Sequence, residues 1–302
     1  MFFGWATSSS TSLTITTERG EAMEFLTEPF DAEFVRTGAL AAAIVGVLCG
    51  IVGCYVVLRG MALVADSLAH GVLPGIAVAF TITAGAVGDS PDELALTVGA
   101  LISGLVTAGA TSLVLRRSRL REETGAAVVF VFMLALGVVL ISRNEGYSVD
   151  LTAFLFGDVL GVSGEEAALA AVASVAVLAI VALLYRPFLL VSFDRQRAAA
   201  IGISVPRVEL LQLVLVTLAV VIGFRIVGAL LVLGMLMAPP AAAALVTRRM
   251  PAMMAVSAAI AAASAPIGLV LSWHLDLAAG ALIVLVAVSA FLILLVVRPQ
   301  PR

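Results

Sequence analysis

The sequence predicts an all-α, polytopic membrane protein of eight or nine transmembrane helices, and three observations carry the prediction. Of the 302 residues, 62% are hydrophobic and only 12% are charged, with a mean hydropathy of +1.17. A soluble core of that size has no room for so much apolar surface. Crossing a hydrocarbon layer about 30 Å thick takes roughly 20 apolar residues, and stretches of that kind recur at 37–58, 61–85, 94–115, 124–142, 167–187, 207–225, 227–246, 251–272 and 279–297. Arginine then marks alternate ends: Arg59, the run Arg116-Arg117-Ser118-Arg119-Leu120-Arg121, the segment Arg186 to Arg207, Arg248-Arg249, and Arg298 with Arg302. Short cytoplasmic loops collect basic residues, so that face is expected to be cytoplasmic.

Taken in order, residues 1–33 read as a polar N-terminal extension, disordered in part. The Ser/Thr-rich segment 1–22 has no basic region ahead of an apolar one, so it is not a cleaved secretory signal, and Met23 reads as the native start. Residues 34–298 form a single transmembrane domain, interrupted by a polar loop over about 188–206, and 299–302 form a cytoplasmic tail. The pair 207–246 is ambiguous: two spans there share a turn of a few residues around Gly223-Phe224-Arg225, and one span plus a short broken helix fits equally. The loops opposite the arginines carry Asp89, Asp92, Glu93, Glu145, Asp150, Glu165, Glu166 and Asp276. Such an acidic mouth draws in cations, although acidic loops also arise wherever basic residues are not selected.

Composition excludes several chemistries. All 17 basic side chains are arginine, which rules out a phosphate-loop lysine and a Schiff-base lysine. A net charge of −3, with no basic cluster interleaved with aromatics, argues against nucleic acid as a partner. Cys49 and Cys54 lie about 140° apart around one helix and cannot pair with each other.

Most charges stand at span ends; Asp66 and His70 fall well inside one. An ionised carboxylate at bilayer depth costs at least a few kcal/mol, so it faces a partner, a cavity or an ion. The i, i+4 spacing puts both side chains on one face, one turn apart. Carboxylate oxygen plus imidazole nitrogen suits divalent manganese, iron or zinc and does not suit copper(I). A buried Asp–His hydrogen bond that merely helps two helices pack fits the same spacing. Gly71, Pro74 and Gly75 follow at once and loosen the helix, as in transporter helices that line a path. Two ligands are fewer than such ions hold, and a second copy meeting this helix on a twofold axis would supply two more.

Weaker candidates are His274 and Asp276 in the external loop, Arg225 as a turn cap or ion-pair partner, and Met235 and Met237 as packing residues beside Pro239-Pro240. In the polar loop, Phe193-Asp194-Arg195-Gln196-Arg197-Ala198-Ala199-Ala200-Ile201-Gly202-Ile203 reads as a short helix stopped by Gly202. Ala198 to Ala200 offer a close-approach surface with Ile201 and Ile203 as an apolar edge; an amphipathic helix on the membrane surface is the other reading.

With these residues in place, the chain from about Phe34 to Val297 resembles the permeases of the bacterial manganese/zinc/iron ABC importers of the ABC-3 type. The motifs stand in family order. Gly53 to Arg59, then Asp66, His70 and Pro74-Gly75, are similar to the family's G-x5-R…D-x-x-x-H…PG segment. Gly125-Ala-Ala-Val-Val-Phe130 and the "LFGD" element Phe154-Leu-Phe-Gly157-Asp158 come next. Asp194 to Gly202, Val227 to Leu231 with Ala238-Pro239-Pro240-Ala-Ala-Ala243, and Gly268 to Ser272 with Ala279-Gly280 complete the set. Ala65 stands where the family often has Gly, and Ala278 where it often has Pro.

The resemblance implies that Asp66 and His70 are the metal site, with no permanently bound cofactor and manganese, iron or zinc as cargo. It makes the 188–206 loop a coupling helix, with Asp194, Ala198, Ala199 and Gly202 docking on the ATPase. It also implies a homodimer of permeases, two separate cytoplasmic ATPase subunits, and an external metal-binding protein that delivers the ion. This chain would then not itself be an enzyme. The Gly-Val-Leu-Pro-Gly ending is closer to the manganese and iron members than to the zinc ones, no His-rich loop is present, and manganese is favoured. Two rivals stand beside this reading. An ion-coupled secondary metal transporter would use Asp66 and His70 as a proton relay. An intramembrane metalloenzyme lacks an H-E-x-x-H motif and, with only His70 and His274, any three-histidine zinc site in one protomer.

Overall fold

A bilayer satisfies no backbone N–H or C=O, so long apolar runs fold as helices whose bonds close within the segment. The computed structural model describes residues 27–87, 93–118, 121–142 and 159–297, and every regular element among them is helical. In chain order these are α1 (Glu33–Leu58), α2 (Ala62–His70), α3 (Leu73–Val87), α4 (Glu93–Arg117), α5 (Glu122–Ile141), α6 (Gly164–Leu183), α7 (Tyr185–Phe193), α8 (Arg195–Ala200), α9 (Val205–Val246), α10 (Met250–Leu275) and α11 (Ala279–Val297). Eight segments among the described residues are long and apolar enough to span, with Leu231–Val246 as a shorter apolar helix. The expected boundaries agree to within a few residues. Residues 1–26, 143–158 and 298–302, with the "LFGD" element and the C-terminal tail, lie outside the described residues.

The core forms around α1, which packs on α6, α9 and α10. Small residues permit this: Ser257 of α10 donates from Oγ to the Gly50 carbonyl of α1 at 2.8 Å, a contact that needs the two backbones close together. Cys49 and Cys54 are buried free thiols on the same helix.

The ambiguous 207–246 region resolves as a full span, Val205–Phe224, joined to the shorter helix Leu231–Val246. Gly228 sits between them at φ 77°, ψ 166°, a conformation open essentially to glycine alone. The Val232 side chain lies against Gly223, nine positions earlier. In a straight helix those residues stand about 13 Å apart, so the chain doubles back at the kink. Met235 is fully buried in the second arm and Met237 packs against the same core, as expected of packing residues.

The span after α1 is broken. Helix α2 stops at His70, and α3 resumes at Leu73 after a two-residue turn, packed on α4. At that contact Gly75 and Gly99 face each other, and a Cβ on either residue would strike the other's carbonyl oxygen. Gly75→Ala is therefore expected to cost about 1–3 kcal/mol by overpacking. The midpoint of thermal unfolding in detergent checks this against Gly109→Ala, whose Cβ meets nothing within 4 Å.

Candidate metal site and arginine-rich face

Helix α2 presents Asp66 and His70 as neighbouring rungs, both half-buried. His70 Nδ1 lies 3.3 Å from Asp66 Oδ1 and 3.2 Å from the Asp66 carbonyl oxygen. A charge-assisted N–H···O bond runs shorter, at about 2.7–2.9 Å. Two donors on one ion with bonds of about 2.1 Å stand about 3.0–3.4 Å apart, whether it is six- or four-coordinate. The observed 3.3 Å is compatible with that ligand spacing as well as with a hydrogen bond between the two side chains. Phe130 of α5 packs edge-to-face on the imidazole, with centroids 5.3 Å apart and planes at 88°, which holds the ring's orientation.

The helix break behind the pair is supported by a neighbouring helix. Ser103 of α4 donates from Oγ to the Gly71 carbonyl at 2.6 Å, and Thr107 Oγ1 lies 3.3 Å from the same oxygen. Pro74 carries no N–H and so leaves the His70 carbonyl without its helical donor. Irregular backbone at membrane depth persists where such partners re-satisfy it. Sequence reasoning passed over Ser103, Thr107 and the contact of Phe130. The signal for the first two was present: polar residues at i, i+4 in a largely apolar span.

Among the described residues no third His, Cys, Asp or Glu joins Asp66 and His70. His274 and Asp276 lie at the far end of α10, where Asp276 closes the helix in a left-handed conformation at φ 54°. The side chain of Arg225 lies outside the described residues.

On the arginine-rich face, α8 forms where the sequence places a short helix. Asp194 caps its start, accepting from the Arg197 N–H at 2.9 Å. Gly202 closes its end at φ 86°, with Gly202 N–H donating to Ala199 O and Ile203 N–H to Ala198 O, both at 3.0 Å. Ala198 does not offer the expected close-approach surface: it is fully buried against its own chain, because its position on the helix points inward. The apolar groups presented are Phe193, 69% exposed, and Ile201, 61% exposed, flanking Ala199.

Beside α8, four charged residues form a closed ring that sequence reasoning did not assemble. Arg59, just past α1, reaches Glu209 Oε1 at 3.2 Å, Glu122 Oε1 at 3.9 Å and Gln212 Oε1 at 2.5 Å. Arg195 at the start of α8 pairs with the same Glu122, and through Nε with the same Glu209 at 2.9 Å. Burial pushes the Arg59 guanidinium below its ordinary value, and Glu209 and Glu122 pull it back up.

A multi-pass membrane protein is the class this arrangement defines, since eight segments among the described residues are long and apolar enough to span and the ionisable pair lies inside one of them. The chain belongs to the ABC 3 transport family, which matches residues 31–298. It is similar to the manganese transport system membrane protein MntC of Halalkalibacterium halodurans, 37% identical over 276 residues and covering 91% of each chain. A probable iron transport system membrane protein of Haemophilus influenzae is 35% identical over 272 residues, covering 90% of this chain and 96% of the other. Among solved structures, a chain of PsaBC from Streptococcus pneumoniae in complex with Fab superposes with a TM-score of 0.78 at 31% identity, covering 92% of this chain and 96% of that one.

Proposed function

We propose that this chain is the membrane permease of an ATP-driven importer of a divalent transition metal, with manganese favoured over iron or zinc. Two copies bring two Asp66–His70 pairs to a shared axis, where they replace part of the ion's water shell. Separate cytoplasmic ATPase subunits dock on Phe193, Ala199 and Ile201, and an external metal-binding protein delivers the ion. Alternating access then follows from reorientation of the helices, driven from the docking loop. The observation that carries the reading is the 3.3 Å spacing of His70 Nδ1 and Asp66 Oδ1 beside the break in the span. The manganese and iron named in the relatives' descriptions support the cargo class. With two ligands per chain and no third among the described residues, a second copy supplies what one chain lacks.

The test is total manganese, iron and zinc in metal-starved cells lacking this gene, complemented with wild type or His70→Ala. Manganese restored by wild type and not by the variant is the expected result. Iron or zinc restored in its place reassigns the cargo, and no change in any metal overturns the reading.

A further inference from the structure

The ring of Arg59, Glu122, Arg195 and Glu209 alternates in sign, and each glutamate uses one oxygen for both arginines. Its members come from four different elements. Arg59 stands at the turn leading into α2, which carries Asp66 seven residues further on; Glu122 opens α5; Glu209 lies in the first turns of α9; Arg195 opens α8. Helices α5 and α9 are the two against which α2 chiefly packs. Glu122 is two turns before Phe130, the residue seated on the His70 ring. A cavity of about 180 Å³ beside the ring, lined by Arg59, Met61, Glu122, Arg195 and Glu209 among others, leaves room for these groups to shift.

The burial is uneven in a telling way. The Arg59 side chain is 6% exposed and cannot be left without an anion, whereas Arg195 is 49% exposed and rides on the surface helix. Any displacement of α8 must therefore either drag Glu122 and Glu209, and with them α5 and α9, or surrender both carboxylates to Arg59. In both cases the clasp around α2 changes.

We infer that Glu122, Glu209, Arg59 and Arg195 are positioning residues that transmit movement of α8 to the helix carrying Asp66 and His70. This rests on the proposed ATP-driven transport and adds to it the route by which the docking face reaches the ion site. Coupling through such a contiguous network is a physical claim only when pairwise energies are measured, so the test is a double-mutant cycle. The assembled transporter, with its ATPase and binding protein, is placed in liposomes and ATP hydrolysed per manganese ion taken up is recorded. Glu122→Gln and Arg195→Gln are each expected to raise that ratio roughly tenfold with the ATPase still bound, and the double variant to raise it no further.

An unchanged ratio overturns the inference, even if the thermal midpoint falls, because that is the behaviour of a mere anchor. Effects that multiply in the double variant overturn it as well. Should Glu122→Gln fail to assemble, Arg195→Lys keeps the charge at a half-exposed position but cannot span two carboxylates. The same rise is then expected, and an unchanged ratio again refutes the role. Wild type and His70→Ala are run alongside. Absence of ATP-driven uptake in wild type is a failure of the proposed transport itself, while intact wild-type uptake with unaltered ratios in the ring variants defeats only the transmission route.

Discussion

Asp66→Ala is expected to abolish metal uptake, by at least about 100-fold, while the permease still assembles with its partners. Loss of a residue that merely orients a ligand already costs about 10–100-fold in affinity, and on the proposed reading a charged ligand itself disappears from both copies of the site. Assembly should survive because the Asp66 side chain is one-third exposed and its described contacts are with His70 one turn away, not with the helices that clasp α2. Asp66→Asn separates the two roles of the pair. If Asp66 only accepts a hydrogen bond that helps α2 pack, the asparagine oxygen replaces it and uptake continues. A ligand role predicts that asparagine fails almost as badly as alanine, because the negative charge that offsets the ion is gone. Uptake of manganese into metal-starved cells, read beside the amount of copurifying ATPase, decides between them.

Gly202→Arg is expected to abolish copurification of the ATPase and, with it, uptake. Gly202 holds φ 86° at the end of α8, and its N–H closes the bond to Ala199 that stops the helix beside the exposed Ile201. A side chain at that backbone conformation costs about 1–2 kcal/mol in itself. Among the described residues nothing obstructs it, since a Cβ there meets nothing within 4 Å, so a long charged side chain projects from the proposed docking face. Gly202→Ala carries the backbone cost without the projecting charge. It is expected to weaken copurification only in part. Equal and full copurification of wild type and Gly202→Arg would remove the 193–203 segment from the docking face.

Several of these features were legible before any tertiary structure. Apolar runs of roughly membrane length located nearly every span, and the i, i+4 spacing of Asp66 and His70 placed both on one face, as found. Gly202 was readable as the end of a short helix because a left-handed glycine is a local device, while the cap at Asp194 came only with the structure. Residues 207–246 were harder: hydropathy counts apolar residues and is blind to a single glycine turning the chain back on itself. Ala198 misled for a related reason. An alanine reads alike on either face of a six-residue helix, and only packing against α7 and α9 decided that it points inward.

By itself, then, the sequence determined the class, the spans, the arginine-rich face and the ionisable pair, all of which rest on composition and on periodicity over a few turns. The tertiary structure alone decided the doubling back at Gly228, the support of the Gly71 carbonyl by Ser103 and Thr107, and the ring that joins Arg59 to Glu209 and Arg195 to Glu122 across 150 and 73 positions. The physical reason is that hydropathy and helical period are local sums over neighbours in the chain. Which helix lies against which, and hence which charges meet, depends instead on close packing of small residues between segments far apart in sequence.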